Sequence, residues 1–286
     1  MVKLFVSDLD GTLLSDNHVI SDKNIKAIKE VLNRGHVFMV ATGRSWKSVQ
    51  PLFEPLQIQC PCILLNGALY IDEKGKIQKE IFLENTMIKK ILEKLEELDL
   101  VYHLYTTKGV AHKDLERAMR EYRERLAIHY HRTEEEIEEI VSKSNFFQSD
   151  MSIEDITSFL STVPSVYKVE IFSNDEEKIK ELRSYLKKHA HIQVVGSTNY
   201  HLEITHGDAQ KGNMLAWALA SMGLSKEEVA AFGDNENDIS MLKSCVYSYA
   251  MGNANEKIKQ CANYVALSNN ESGVGKAILE LLEKEE

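Results

Sequence analysis

The segment "KLFVSDLDGTLL" (residues 3–14) places Asp8 and Asp10 two positions apart where an apolar run gives out. On a continuing strand two such side chains point to the same side. Like charges that close repel, unless a cation lies between them or one carboxyl keeps its proton. Gly11 supplies backbone freedom for a sharp exit, and Thr12 is placed to hydrogen-bond back to nearby main chain. Taken alone, the segment also fits a strand ending in an Asp-Gly turn. Three more polar clusters stand in comparable places: Thr42-Gly43-Arg44 after "HVFMVA", Lys211-Gly212 opening a helix, and Gly233-Asp234-x-x-Asn237-Asp238 after "VAAFG". Ligands of an open parallel sheet bind at the carboxyl ends of its strands, so the four clusters are expected to share one edge. Together they offer carboxylates, a hydroxyl, an ammonium and helix N-terminal amides. That inventory suits a magnesium ion and a phosphoryl group, with hard oxygen ligands for the metal and Lys, Thr and amides for the phosphate oxygens.

The elements that must position these groups follow from periodicity. Residues 2–8 predict a buried strand, and "SDKNIKAIKEVLNRG" a helix capped by Ser21, with Ile25, Ile28, Val31 and Leu32 on its apolar face and Gly35 as its stop. "HVFMVA" predicts a second buried strand. Near-continuous apolar strands alternating with amphipathic helices indicate a parallel sheet covered on both faces. The pattern resumes late in the chain, in "KGNMLAWALASMG", "VAAFG", "ENDISMLK", "CVYSYAM" and a closing helix from Gly273. Between these thirds the texture changes. "ALYIDEKGKIQKEIF" reads as a β-hairpin turning at Asp72 to Gly75, by which the chain leaves the core. Residues 84–196 then carry helices such as "TMIKKILEKLEEL" and "DEEKIKELRSYLKKH" with strands "VYHLYTT" and "VYKVEIF", a second α+β unit inserted into the first. The acidic run "TEEEIEEI" is the solvated face of a helix. The expected organisation is a core of residues 1–83 and 197–286 with an insertion of 84–196.

The bulk properties exclude several partners. A chain of 286 residues with 43% hydrophobic and 27% charged residues folds as a globular protein large enough for two domains. A net charge of −10 opposes a nucleic-acid backbone or an anionic membrane as partner. No apolar run approaches the ~18 residues of a membrane helix, and "VKLFV" is too short for a signal-peptide core, so a cytoplasmic protein is expected. Four cysteines do not make a disulfide framework, and Cys60-Pro61-Cys62 lacks the two-residue spacer of zinc or redox pairs. His129 with His131 and His189 with His191 have strand spacing but no acid or Cys partner, and read as exposed polar faces.

With these motifs in this order, and a large insertion between Thr42 and Lys211, the sequence resembles the haloacid dehalogenase superfamily of phosphotransferases, and within it the Cof-type phosphatases, over essentially its whole length. "LLNGA" at 64–68 is similar to the family's sequence after its next core strand. The resemblance implies a doubly wound, Rossmann-like α/β core with an inserted α+β cap that selects the substrate. It implies that Asp8 is the nucleophile toward phosphorus, and that Asp10 protonates the leaving oxygen and later activates water. Mg2+ would be held by the carboxylates of Asp8 and Asp234 and the backbone carbonyl of Asp10. Leu9, Thr42, the Gly43 amide, Lys211 and Asn237 would meet the phosphoryl group, with Asp238 orienting Lys211. Arg44 is left open between substrate contact and a structural ion pair, and Asn66 between shaping its loop and touching substrate.

The residue chemistry points the same way. A carboxylate is a weak nucleophile toward an anionic phosphate, so a metal and Lys211 must neutralise both before they approach. A cation at a helix start opposes the helix dipole, which favours a ligand role for Lys211. The expected partner is a small phosphorylated metabolite: a sugar phosphate, a nucleotide or a cofactor phosphate such as pyridoxal phosphate. His103, Tyr105, Lys168 and Glu170 of the insertion are candidates for its organic part. A phospho-aspartyl switch is the reading from another class, but Asp10 would hydrolyse the phosphate such a switch must keep, and the insertion has no place in it. A phosphomutase shares every motif and is separated from a phosphatase by turnover.

Overall fold

The computed structural model describes residues 1–129, 131–143, 151–162, 165–196 and 198–284. The first apolar run forms β1 (Leu4–Ser7), buried throughout, and ends one residue before Asp8. The helix Asp22–Asn33 follows as its pattern predicts: Ser21 accepts from the Asn24 amide at its start, Ile28 and Val31 are buried, and Gly35 leaves it at φ +76°. Then come β2 (Val37–Ala41), β3 (Cys62–Leu64), β4 (Leu69–Ile71) and β5 (Ile77–Glu80). The inserted segment contributes β6 (Tyr102–Thr106), β7 (Gly109–His112), β8 (Met151–Ser152), β9 (Val166–Phe172), β10 (Ile192–Val195) and β11 (His201–His206). The chain closes with β12 (Val229–Gly233), β13 (Tyr247–Ala250) and β14 (Tyr264–Val265).

Two compact units result, one of Met1–Glu80 with Ala209–Glu286 and one of Ile81–Asp208. The first holds an α/β sheet in the order β14-β13-β12-β1-β2-β3-β4-β5, parallel from β14 to β3. Ser7 at the end of β1 pairs with Phe232 on one side and Val40 on the other, so three strands end level and their following loops share an edge. β4 and β5 form the expected hairpin, with Asp72 Oδ1 accepting from the amides of Lys74 and Lys76 across the turn. The hairpin extends the same sheet, β4 pairing antiparallel with β3, and the chain leaves the first unit at its end, after Glu80.

The second unit is built on a six-stranded sheet, β10-β11-β9-β6-β7-β8. β11 belongs to it, so this unit reaches Asp208, past the residue 196 at which the sequence reading ended the insertion. Strand alternation sorts its residues cleanly. Leu104, Val169, Ile171, Leu202 and Ile204 join a buried core with the helices Asn85–Glu97 and Glu176–Leu186. Their neighbours His103, Tyr105, Lys168, Glu170 and Glu203 are cross-strand partners on the opposite face. There Tyr105 donates to Glu170 at 2.6 Å, His201 lies 3.0 Å from Glu170, and Lys168 bonds Glu203 under the ring of Tyr105. Burial alone would raise the Glu170 pKa, but Lys168, His201 and Tyr105 hold it well below the carboxylate range. Glu170, His201 and Glu203 lie close enough to share a metal ion, but the Lys168 ammonium already supplies the positive charge there.

The run "TEEEIEEI" lies in the helix Glu134–Lys143, whose Ile137 and Val141 pack on Leu126. Among the described residues no cysteine is in a disulfide, and no helix is long and apolar enough to cross a membrane. His131 and His191 are exposed, whereas His189 is half-buried against Tyr185; the side chain of His129 lies outside the described residues.

Candidate active site

The four polar clusters converge at the carboxyl edge of the first sheet. Asp8, immediately after β1, is buried, and its amide donates to the Phe232 carbonyl of β12 at 3.0 Å. Lys211, first residue of the helix Lys211–Met222, is completely buried and donates 2.7 Å hydrogen bonds to both Asp8 Oδ1 and Asp238 Oδ1. Gly212 permits this helix start to sit so close, since a Cβ there would lie 2.3 Å from the Ser240 carbonyl oxygen. Asp238 Oδ2 accepts from the amides of Asp234 and Asn235, each at 3.0 Å. Both of its oxygens are therefore engaged, and its role is to hold Lys211 and the loop after β12.

The strand ends before Asp8, so the two aspartates do not share one environment. Asp8 is neutralised by Lys211. Asp10 has a half-exposed side chain and takes two hydrogen bonds from Arg44, 2.7 Å from Nε and 2.5 Å from Nη2. That bidentate geometry decides Arg44 as an ion-pair partner of Asp10. Burial opposes the guanidinium charge, but the Asp10 bonds outweigh it and raise the Arg44 pKa. Thr12 does not bond back to local main chain as expected. Its hydroxyl donates to Asp234 Oδ1 at 2.6 Å. Gly11 makes that approach possible: it has φ +76°, and a Cβ on it would stand 2.4 Å from Asp234 Oδ2.

Thr42 is buried beyond β2 and its hydroxyl accepts from the Arg44 amide at 3.2 Å. Gly43 lies between them, half-buried. Leu9 is fully buried and its carbonyl accepts from Thr12 and Leu14, so only its main chain can serve a ligand. In "LLNGA", Leu65 and Asn66 both take left-handed conformations, at φ 51° and 60°. Asn66 Oδ1 accepts from Asn237 Nδ2 at 3.0 Å, while Asn237 Oδ1 is buried without a protein partner. Asn66 thus both shapes its loop and holds Asn237, which keeps hydrogen-bonding capacity for a ligand.

The acids of the cluster repel one another and resist ionisation. Asp8 has its pKa raised well above the ordinary range by burial, with Asp238, Asp234 and Asp10 adding to the rise and Lys211 opposing it. Burial and then Asp238 push Asp234 up to about 6, against the Thr12 hydrogen bond and Lys211. Burial also works against the Lys211 charge, but Asp238 and Asp8 more than offset it and raise its pKa. Carboxyl oxygens of Asp8, Asp234 and Asp238 lie within 4.8 Å of one another. With Asp238 already engaged, Asp8 and Asp234 are the pair that fits a hard divalent cation.

A family model for haloacid dehalogenase-like hydrolases matches residues 5–278. The chain belongs to that family, and within it to the Cof-type phosphatases; it is a phosphoric monoester hydrolase. Among its relatives, "Phosphatase YwpJ" of Bacillus subtilis (strain 168) is 30% identical over 98% of this chain and 100% of its own. "5-amino-6-(5-phospho-D-ribitylamino)uracil phosphatase YwtE" of the same organism is 28% identical over 98% of both chains. The solved structure of a haloacid dehalogenase-like hydrolase from B. subtilis superposes with a TM-score of 0.85 at 28% identity, covering 98% of this chain and all of the other.

Proposed function

We propose that the protein is a magnesium-dependent phosphatase of small phosphorylated metabolites that works through an aspartyl phosphate on Asp8, with the inserted unit selecting the substrate. The observation that carries this reading is the buried Lys211 ammonium on Asp8 Oδ1, at 2.7 Å, beside a second acid, Asp234, whose pKa is raised to about 6. Asp8 and Asp234, with the main-chain carbonyl of Asp10, would hold Mg2+, which supplies positive charge to the phosphoryl oxygens. Lys211 neutralises the nucleophile and substrate as they approach; Thr42, the Gly43 amide and Asn237 orient the phosphoryl group.

An Asp8 carboxylate oxygen bonds to phosphorus while the ester P–O bond breaks, and the leaving oxygen takes its proton from Asp10. Water then attacks phosphorus, Asp10 takes the water's proton, and inorganic phosphate leaves with the Asp8 carboxylate restored. Arg44 donates to both carboxylate oxygens of Asp10 and so fixes the orientation of that side chain. Substrates of the size of a phosphorylated uracil derivative, which the name of one relative specifies for that protein, fit this reading.

The test separates the two aspartates. Asp8→Asn is expected to release no leaving group from p-nitrophenyl phosphate. Asp10→Asn still takes up phosphate, because nitrophenolate leaves without a proton, but hydrolysis of the adduct slows by roughly 10²- to 10⁴-fold. The expected trace is a burst of at most one nitrophenolate per chain, with phosphate on the Asp8 peptide by mass spectrometry. Equal, burst-free loss in both variants without an adduct refutes the covalent route.

A further inference from the structure

The loop that begins at Asp10, the proposed acid–base group, contains no helix or sheet strand until Asp22. Side chains remote from the chemistry hold it instead. Asn253, just beyond β13, donates Nδ2 to the Gly11 carbonyl at 2.8 Å. Asn269, in the turn before the last helix, is buried and donates Nδ2 to the Leu14 carbonyl at 3.1 Å and to Asp16 Oδ1 at 2.9 Å. The two are tied together, because the Asn269 amide donates to Asn253 Oδ1 at 3.0 Å. Asn270 completes the grip by exchanging bonds with Asp16, giving Nδ2 to its carboxylate at 2.8 Å and accepting its amide at 3.0 Å.

We propose that Asn253 and Asn269 are positioning residues for the hydrolytic half of the reaction: a linked pair of amides that sets the plane of the Gly11 peptide and thereby the place of Asp10. The inference rests on the assignment of Asp10 as acid and base. Gly11 adjoins Asp10, and because Thr12 is anchored on Asp234 by its own hydroxyl, slack in the turn released from Asn253 falls on the Asp10 side. Neither amide bonds Asp8 or Lys211, so the nucleophile keeps its own support when the clamp is lost. The clamp therefore acts unequally on the two half-reactions. Phosphoryl transfer to Asp8 from an ester with a good leaving group needs no proton from Asp10, whereas hydrolysis of the adduct does.

Asn253 is exposed, so its variants test the clamp without opening the core. In Asn253→Ala the nitrophenolate burst rate is expected to stay within about twofold of wild type while steady-state turnover falls roughly 10- to 100-fold, the scale of a misplaced catalytic group, and the Asp8 adduct accumulates. Asn253→Asp keeps the acceptor for the Asn269 amide but loses the donor to Gly11, and falls with Asn253→Ala. Asn269→Ala has the same sign and a larger effect. Tryptophan fluorescence checks that the first unit is folded in each, since Trp46 and Trp217 both lie in it. Burst and turnover that fall together, or turnover that does not change in the Asn253 variants, overturns the clamp. If Asp10→Asn itself gives neither burst nor adduct, the parent mechanism has failed and the clamp with it. A normal Asp10→Asn burst beside unchanged Asn253 variants sinks the clamp alone.

Discussion

Replacing Asp234 by Asn should make the metal-free protein more stable at neutral pH, although it removes a proposed metal ligand. Asp234 titrates at about 6 in the folded protein against an ordinary 3.8. A folded-state pKa raised in this way contributes its full stability below 3.8 and loses it as pH climbs through 6. At 1.36 kcal/mol per pH unit, the ionised carboxylate costs about 3 kcal/mol of folding free energy at pH 7.5. Asn carries no charge and still accepts from the Thr12 hydroxyl, so Asp234→Asn recovers that amount at pH 7.5 and converges on wild type near pH 4. Urea unfolding in chelator, followed by tryptophan fluorescence, reports this unit, and comparison of the two proteins cancels the titrating groups that Asp234 does not touch, while relief of its repulsion on Asp8 adds in the same direction. Magnesium should nearly close the gap at 100 times its Kd, where it adds about 2.7 kcal/mol to wild type, and reverse the order at 1,000 times, where it adds about 4.1 kcal/mol. A variant less stable than wild type in chelator at pH 7.5, or a difference that does not move with pH, refutes the reasoning.

Two further outcomes follow from the same geometry. Gly11→Ala forces a Cβ against Asp234 from a left-handed backbone, so the magnesium concentration for half-maximal phosphate release should rise by roughly tenfold or more, while the urea midpoint drops by the equivalent of about 1–2 kcal/mol. Unchanged metal dependence would separate Gly11 from the site. Lys211→Met leaves Asp8 and Asp238 buried without their cation, and fluorescence-detected unfolding should show a loss of about 3–5 kcal/mol at pH 7.5, shrinking on acidification as Asp8 takes up a proton; a loss that does not shrink would mean the ammonium does not carry the stability.

The sheet edge was legible because strand ends and helix starts are written locally. Apolar runs stop where β2 and β12 stop, and the polar residues just beyond them are the candidate site residues. Ser21, Gly35 and Gly223 mark helix ends by capping chemistry that needs no tertiary context. Partners across the fold were not legible. Nothing within a few residues of Thr12 signals that its hydroxyl serves Asp234, 222 positions away, and Arg44 gave no sign of which acid it would grip. Asn253 and Asn269 look like ordinary turn residues until the loop they hold is brought to them. The insertion's end was misplaced for a related reason. β11 pairs with β9 and β10, and which sheet a strand joins is not written in its own residues.

The opening pair of carboxylates shows how much such partners decide. Asp8 and Asp10 are the same residue type two positions apart, and local sequence assigns neither a role. Burial places Asp8 against a buried ammonium, so its charge is matched by a fixed group that can also meet an incoming phosphate. Exposure leaves Asp10 on a loop, held by a half-buried guanidinium whose bonds can be exchanged for others. A nucleophile must stay put and stay ionised at the moment of attack, whereas a proton carrier must change its state twice in each turnover. Divergent surroundings for paired titratable groups are how one site can hold two roles, as the proposed mechanism requires, and here they come from Lys211 and Arg44, far apart along the chain.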